Sequence, residues 1–152
     1  MKASFPSVEW FQSLQGLMNG QRNKYERYGF ADSRAIFAVK AGDGAGNDRY
    51  FATIFDTYDC TEVKELGAAQ VKSFDADWLY EGGYADWKEM IENIKANGHA
   101  DLDHSLNRLS LLKHPFRVYG EDQMRVDLFY RQQFTFQEFI DECSGVDTDF
   151  LP

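Results

Sequence analysis

The sequence predicts a single α+β domain in two layers, a mixed sheet of about five strands with its helices mainly on one face. Three observations carry that expectation. Two strand-like runs flank a glycine-rich loop at 43–47, which marks an antiparallel hairpin. In DADWLYEGGYADWKEMIENI, residues 75–94, alternation of period two gives way at Gly82-Gly83 to large apolar groups at steps of three and four. No repeat, low-complexity tract or linker interrupts the 152 residues. At that length one core hides roughly 70% of the unfolded surface. The domain is expected to span 1–152, with its core at about 7–145 and a short acidic tail at 146–152.

Taken in order, Ser7 with Pro6 before it caps a helix whose apolar face is Trp10, Phe11, Leu14, Leu17 and Met18, and Asn19-Gly20 stops it. A polar link with room for another helical turn runs to Asp32. RAIFAVKA at 34–41 and RYFATIFDTYDC at 49–60 are the hairpin strands, and CTEVKEL at 60–66 is a third strand or a continuation of the second. Asp77, Leu79 and Glu81 then alternate with Ala76, Trp78 and Tyr80, before Tyr84, Trp87, Ile91 and Ile94 line one face of a helix. After the polar HADLDHS come a short helix with Leu106, Leu109 and Leu112, a strand in HPFRVYG at 114–120, and a helix in EDQMRVDLFYRQQ at 121–133. A last helix carries Phe136, Phe139, Ile140 and Cys143 up to Ser144-Gly145. Both hairpin faces are partly apolar, because Phe37, Val39, Phe51 and Phe55 cannot all share a side with Ile36, Ala38, Ile54 and Tyr58. Helices, a partner subunit such as a second copy in a homodimer, or a bound ligand is expected to cover the second face.

Aromatic residues reach 16%, with thirteen Phe, eight Tyr and three Trp, so the apolar surface is concentrated in large flat groups suited to a core or a greasy cavity. Sixteen Lys and Arg against 25 Asp and Glu give a net charge of -9. That field repels phosphate backbones and anionic lipid surfaces, and nucleic acid is not an expected partner. Arg22, Lys24 and Arg27, diluted by Asn23 and Glu26, read as a solvated face. No apolar stretch has the length of a signal peptide or a membrane span, so a cytoplasmic protein without stable membrane insertion is expected. Cys60 and Cys143 lack metal-ligand spacing and read as free thiols.

The loop GDGAG joins two strands and has no following helix to hold a phosphate, so it reads as a hairpin turn. His99, Asp101, Asp103 and His104 cluster in a polar link without helical ligand spacing; the segment reads as a solvated connector, and neither metal nor cofactor is expected. There is no G-x-S-x-G elbow, HExxH, CxxC or P-loop. Asp56, Asp59 and Asp77 lie on or beside aromatic strands. Buried, any of them would be a candidate general acid or base; on the wet side of the sheet each is a plain surface carboxylate. No catalytic residue is assigned.

The hairpin AIFAVKAGDGAGNDRYFATIFD, the corner ADWLYEGGYADWKEMIENI and the strand-to-helix turn HPFRVYGEDQMRVDLF resemble, in that order, parts of the sterol carrier protein type 2 family of small lipid-transfer domains. The likeness runs from about Trp10 to Ile140, and departs from the family in a longer, more polar segment at 97–113 and an end, DFLP, that is not the peroxisomal address Ser-Lys-Leu. The resemblance implies non-catalytic binding or transfer of a fatty acyl chain, sterol or similar lipid in a tunnel between sheet and helices. Its expected lining is Trp78, Trp87, Met90, Ile91, Met124, Leu128, Phe136, Phe139 and Ile140. At its spacing the stripe Tyr84, Trp87, Ile91 and Ile94 reads first as plain core and second as a ligand wall. Two further readings stay open: a small enzyme using a buried carboxylate on an apolar substrate, and a non-catalytic subunit whose apolar sheet face docks a partner.

Overall fold

The computed structural model describes residues 2–42 and 47–151, so the glycine-rich loop expected at 43–47 lies, apart from Asn47, outside the described residues. Strand β1, Lys2–Phe5, leads into helix α1, Val8–Asn19. Ser7 caps α1 as its sequence predicts, its Oγ accepting from the Trp10 amide at 3.0 Å. Such a cap satisfies a first-turn donor and is worth about 1 kcal/mol. Trp10, Phe11, Leu14 and Met18 form the buried face. The one-turn helix α2, Arg22–Glu26, buries Tyr25 before the chain enters the sheet.

Strands β2, Ser33–Lys40, β3, Arg49–Asp56, and β4, Asp59–Leu66, run antiparallel. Strand β5, Trp78–Gly83, pairs in parallel with the other side of β2, and β6, Arg117–Tyr119, pairs antiparallel with β5 at the edge. The order β4-β3-β2-β5-β6 is the mixed five-stranded sheet expected. Phe37 stands opposite Phe51 across one pair and Tyr80 across the other, which puts rings from three adjacent strands on one face.

Helix α4, Tyr84–Asn97, follows β5 without a loop. Gly82 shapes that corner, because the Phe116 ring lies where a Cβ would sit, at 2.3 Å. Trp87, Met90, Ile91 and Ile94 are the buried stripe of α4, while Tyr84 is half-buried at its start. Helix α5, Leu106–Leu109, precedes β6, and α6, Gln123–Arg131, and α7, Gln133–Asp141, meet in an elbow at Gln132.

Helices α1, α4, α5, α6 and α7 bury their apolar faces with Phe37, Phe51, Phe55, Trp78 and Tyr80 in one core. On the opposite face Ile36, Ala52 and Leu66 are covered by Phe74 from a one-turn helix α3, Val71–Phe74, with the Arg34 guanidinium 4.3 Å above the Phe74 ring. The chain itself therefore supplies part of the second face's cover. Within the acidic segment at 146–152, strand β7, Asp147–Phe150, pairs in parallel with β1. Asp147 and Asp149 are exposed and Thr148 and Phe150 half-buried, the period of a strand with one wet side. Trp10 Nε1 donates to Thr148 Oγ1 at 3.1 Å, and the core extends beyond 7–145 to Ala3, Phe5 and Val146.

Candidate functional site

Strand β5 and helix α4 carry Trp78, Trp87, Met90 and Ile91 to the inner face of the sheet, and α7 lays Phe136, Phe139 and Ile140 in the same core; all seven are buried. Trp78 lies 4.7 Å from Phe136 and 5.0 Å from Phe129, and Phe139 lies 5.0 Å from Phe55 and stacks on Phe37 at 6.2 Å. Leu128 is half-buried against this interior, whereas Met124 stands outside it, 77% exposed. Met124 and Leu128, four apart, are the α6 residues expected in the lining. The helix instead buries Val126 and Phe129, three apart, and Arg125, just before Val126, is held at the sheet edge by Asp75 and Asp77.

Four buried aromatic donors each meet an oxygen. Trp10 Nε1 reaches Thr148, Trp87 Nε1 reaches the Ala38 carbonyl at 3.0 Å, Tyr80 Oη reaches the Leu106 carbonyl at 2.8 Å and Tyr25 Oη reaches Glu142 at 2.7 Å. Trp78 Nε1 is buried and has no partner among the described residues. A donor left in that state costs about 1–3 kcal/mol. Burial pushes the Cys60 and Cys143 thiols up to about 12, which keeps them protonated and poorly nucleophilic.

On the other face a groove of about 370 Å³ opens beside α3, walled by Val71, Ala76, Leu79 and Tyr119 with exposed Lys72 and Asp75. Next to it Asp77 accepts from the Arg34 amide and from Arg125 Nε, both at 2.7 Å, and Arg125 also reaches Asp75 at 2.8 Å. That guanidinium holds the Asp75 carboxyl below its ordinary range. Both Asp77 oxygens are thus committed to tying α6 and β2 to the start of β5. Asp56 is exposed and Asp59 half-buried, 4.0 Å from Arg22.

The buried carboxylates among the described residues are Asp141 and Glu142, at the end of α7 rather than beside the aromatic strands. Asp141 accepts from Gln137 Nε2 at 2.9 Å and from the Ala100 amide at 3.2 Å, and its burial raises its pKa. Glu142 accepts from Tyr25, from Gln21 at 3.0 Å and from Lys24 at 2.9 Å, while Lys24 also meets Glu138 at 2.8 Å. Lys24 is therefore a clasp between α2 and α7 rather than part of a solvated face. HADLDH is likewise more than a solvated connector. The His104 ring bridges Asp101 at 2.7 Å and Glu89 of α4 at 3.0 Å, and Asn93 holds Asp101 from the same helix at 2.8 Å. Among the described residues no group of three or more His, Cys, Asp or Glu side chains is placed to hold a metal ion.

No family model and no curated protein matches the sequence. By structure the chain is similar to a crystal structure of sterol carrier protein 2, at TM-score 0.61 and 16% identity over 91% of this chain and 95% of that one. It is equally similar to a solution structure of a conserved hypothetical protein from Thermus thermophilus, described as possibly a sterol carrier protein. There the TM-score is 0.61 and the identity 15%, over 91% of this chain and 88% of the other. These likenesses give the chain a sterol carrier-like fold.

Proposed function

We propose, from a sterol carrier-like fold closed over an aromatic interior, that the chain is a non-catalytic carrier of one apolar molecule, a fatty acyl chain, sterol or similar lipid. The observation that carries this reading is the ring cluster gathered beneath α4, α6 and α7 in that fold. Trp78, Trp87, Met90, Ile91, Leu128, Phe136, Phe139 and Ile140 form the proposed wall, reached when the elbow at Gln132 lifts. Exposed Met124 offers an adaptable apolar surface at the way in. The carrier works in the cytoplasm. None of the helices among the described residues is long and apolar enough to cross a membrane.

Native mass spectrometry of detergent-free protein, with solvent extraction, tests this. The expected result is one lipid-sized adduct per chain, and tryptophan emission that saturates near one equivalent of a long-chain fatty acid or sterol probe. Repeated preparations free of any apolar adduct, with emission unmoved by both probe types, overturn it. A second seat is favoured by the groove beside α3, whose volume of about 370 Å³ suits a small ligand. Leu79→Asp places a charge in its wall, and loss of uptake in that variant alone moves the ligand to this side.

A further inference from the structure

Trp78 is the first residue of β5, opposite Ala35 of β2, and its ring is enclosed by Phe37 at 5.6 Å, Phe129 at 5.0 Å and Phe136 at 4.7 Å. These neighbours offer ring faces, which accept a hydrogen bond only weakly, and ring edges, which do not accept one. A resident water needs two to four polar partners, and three phenyl rings supply none. Elsewhere the same core gives every other fully buried tryptophan or tyrosine donor an oxygen: Trp10, Trp87, Tyr25 and Tyr80 are all satisfied. Among the described residues one indole N–H is left without an acceptor, at the point where β5 meets the α6–α7 elbow.

We infer that Trp78 Nε1 is the polar anchor of the ligand site and that the ligand brings a neutral acceptor oxygen, that of a ketone, ester or alcohol, to the space beneath the elbow; this rests on the carrier reading above. Neutrality follows from the charges nearby. Of the two cations on α6, Arg125 is already held by Asp75 and Asp77, and Arg131 is exposed to water. A carboxylate beside Trp78 would be buried without a counter-charge. The acceptor fixes the ligand's direction, with its alkyl body running along the wall of Phe136, Phe139 and Ile140.

The test pairs methyl undecyl ketone with tridecane, probes of equal chain length that differ in one carbonyl. Two proteins are compared, the natural chain and one with benzothienylalanine in place of Trp78, which keeps the shape of the indole and removes only its N–H. Loss of the N–H is expected to weaken ketone binding about two- to tenfold and leave tridecane binding unchanged. The Trp78 indole proton, assigned by its absence in the substituted chain, is expected to shift downfield with ketone and not with tridecane. If both probes bind, the substitution changes neither affinity and the indole proton does not move, the anchor is refuted while the carrier reading stands. If neither probe binds the natural chain, the carrier reading falls and the anchor with it. Trp78→Phe serves as a second variant, folded if its circular dichroism matches the natural chain, and is expected to show the same selective loss for the ketone.

Discussion

At Gly82 a single hydrogen atom decides how β5 meets α4. The Phe116 ring occupies the place of a side chain, with three of its carbons within 2.8 Å of a would-be Cβ. Gly82→Ala must push a buried ring aside, and a urea midpoint is expected to report a loss of about 1–3 kcal/mol. His104 carries the pH dependence of the segment it closes. Its hydrogen bond to Asp101, supplemented by Glu89, raises the imidazole pKa above the ordinary histidine value. A proton bound more tightly in the folded state adds stability that is fully present below the unfolded pKa and is lost as pH rises through the folded one. The natural chain should therefore exceed His104→Gln in urea midpoint below about pH 6, with the gap closing at alkaline pH. A gap that is constant with pH would assign His104 to packing alone.

Among the elements, α6 and α7 differ in how firmly they are held. Helix α7 buries Thr135, Phe136, Phe139, Ile140 and Asp141, whereas α6 buries only Val126 and Phe129 and leans on the Arg125 ion pairs. Amide exchange is expected to be faster in α6 than in α7, and to slow in α6 when methyl undecyl ketone is bound; equal protection in both helices would remove α6 as the element that lifts. The same contrast explains what was legible in the sequence. The step from Trp78–Tyr80 alternation to the Trp87–Ile94 stripe announces β5 and α4, and Ser7 announces α1, because local pattern and tertiary burial agree there. For α6 the apolar pair at Met124 and Leu128 competed with Val126 and Phe129, and only the pull on Arg125 settles the face. Helix α3 is a single turn whose place depends on Arg34 and Phe74 meeting on the sheet's second face. No local period encodes such a contact.

Across the whole molecule the ends of the described chain are bound to each other. Strand β1 pairs with β7 from Lys2 opposite Asp147 to Phe5 opposite Phe150, and two further hydrogen bonds reinforce the pair, from Trp10 Nε1 to Thr148 and from the Leu151 amide to the Phe5 carbonyl. Deleting residues 2–4 and deleting residues 147–151 should then be non-additive, with a coupling of about 0.5–3 kcal/mol in a double-deletion cycle. Additive losses would show that the two strands act separately. This pairing lay hidden because KASF and DTDF are short, polar and far apart in sequence, although the exposed Asp147 and Asp149 do alternate with half-buried Thr148 and Phe150. The site was partly legible for a similar reason: chain pattern announces which rings are buried, but which buried donor lacks an acceptor depends on the assembled neighbours of Trp78.

The β1–β7 pair also sets an order in time. Synthesis makes β1 early and β7 late, and at about 5–20 residues per second the interval between them is roughly 7–30 s. Hairpins and helices form in microseconds, so the sheet has ample time to assemble while β1 waits for its partner. During that wait Phe5, destined to lie against Trp10 and Phe150, has only the first of those rings available. The two ends close last, and the aromatic interior is sealed along that margin only after nearly the whole described chain has emerged.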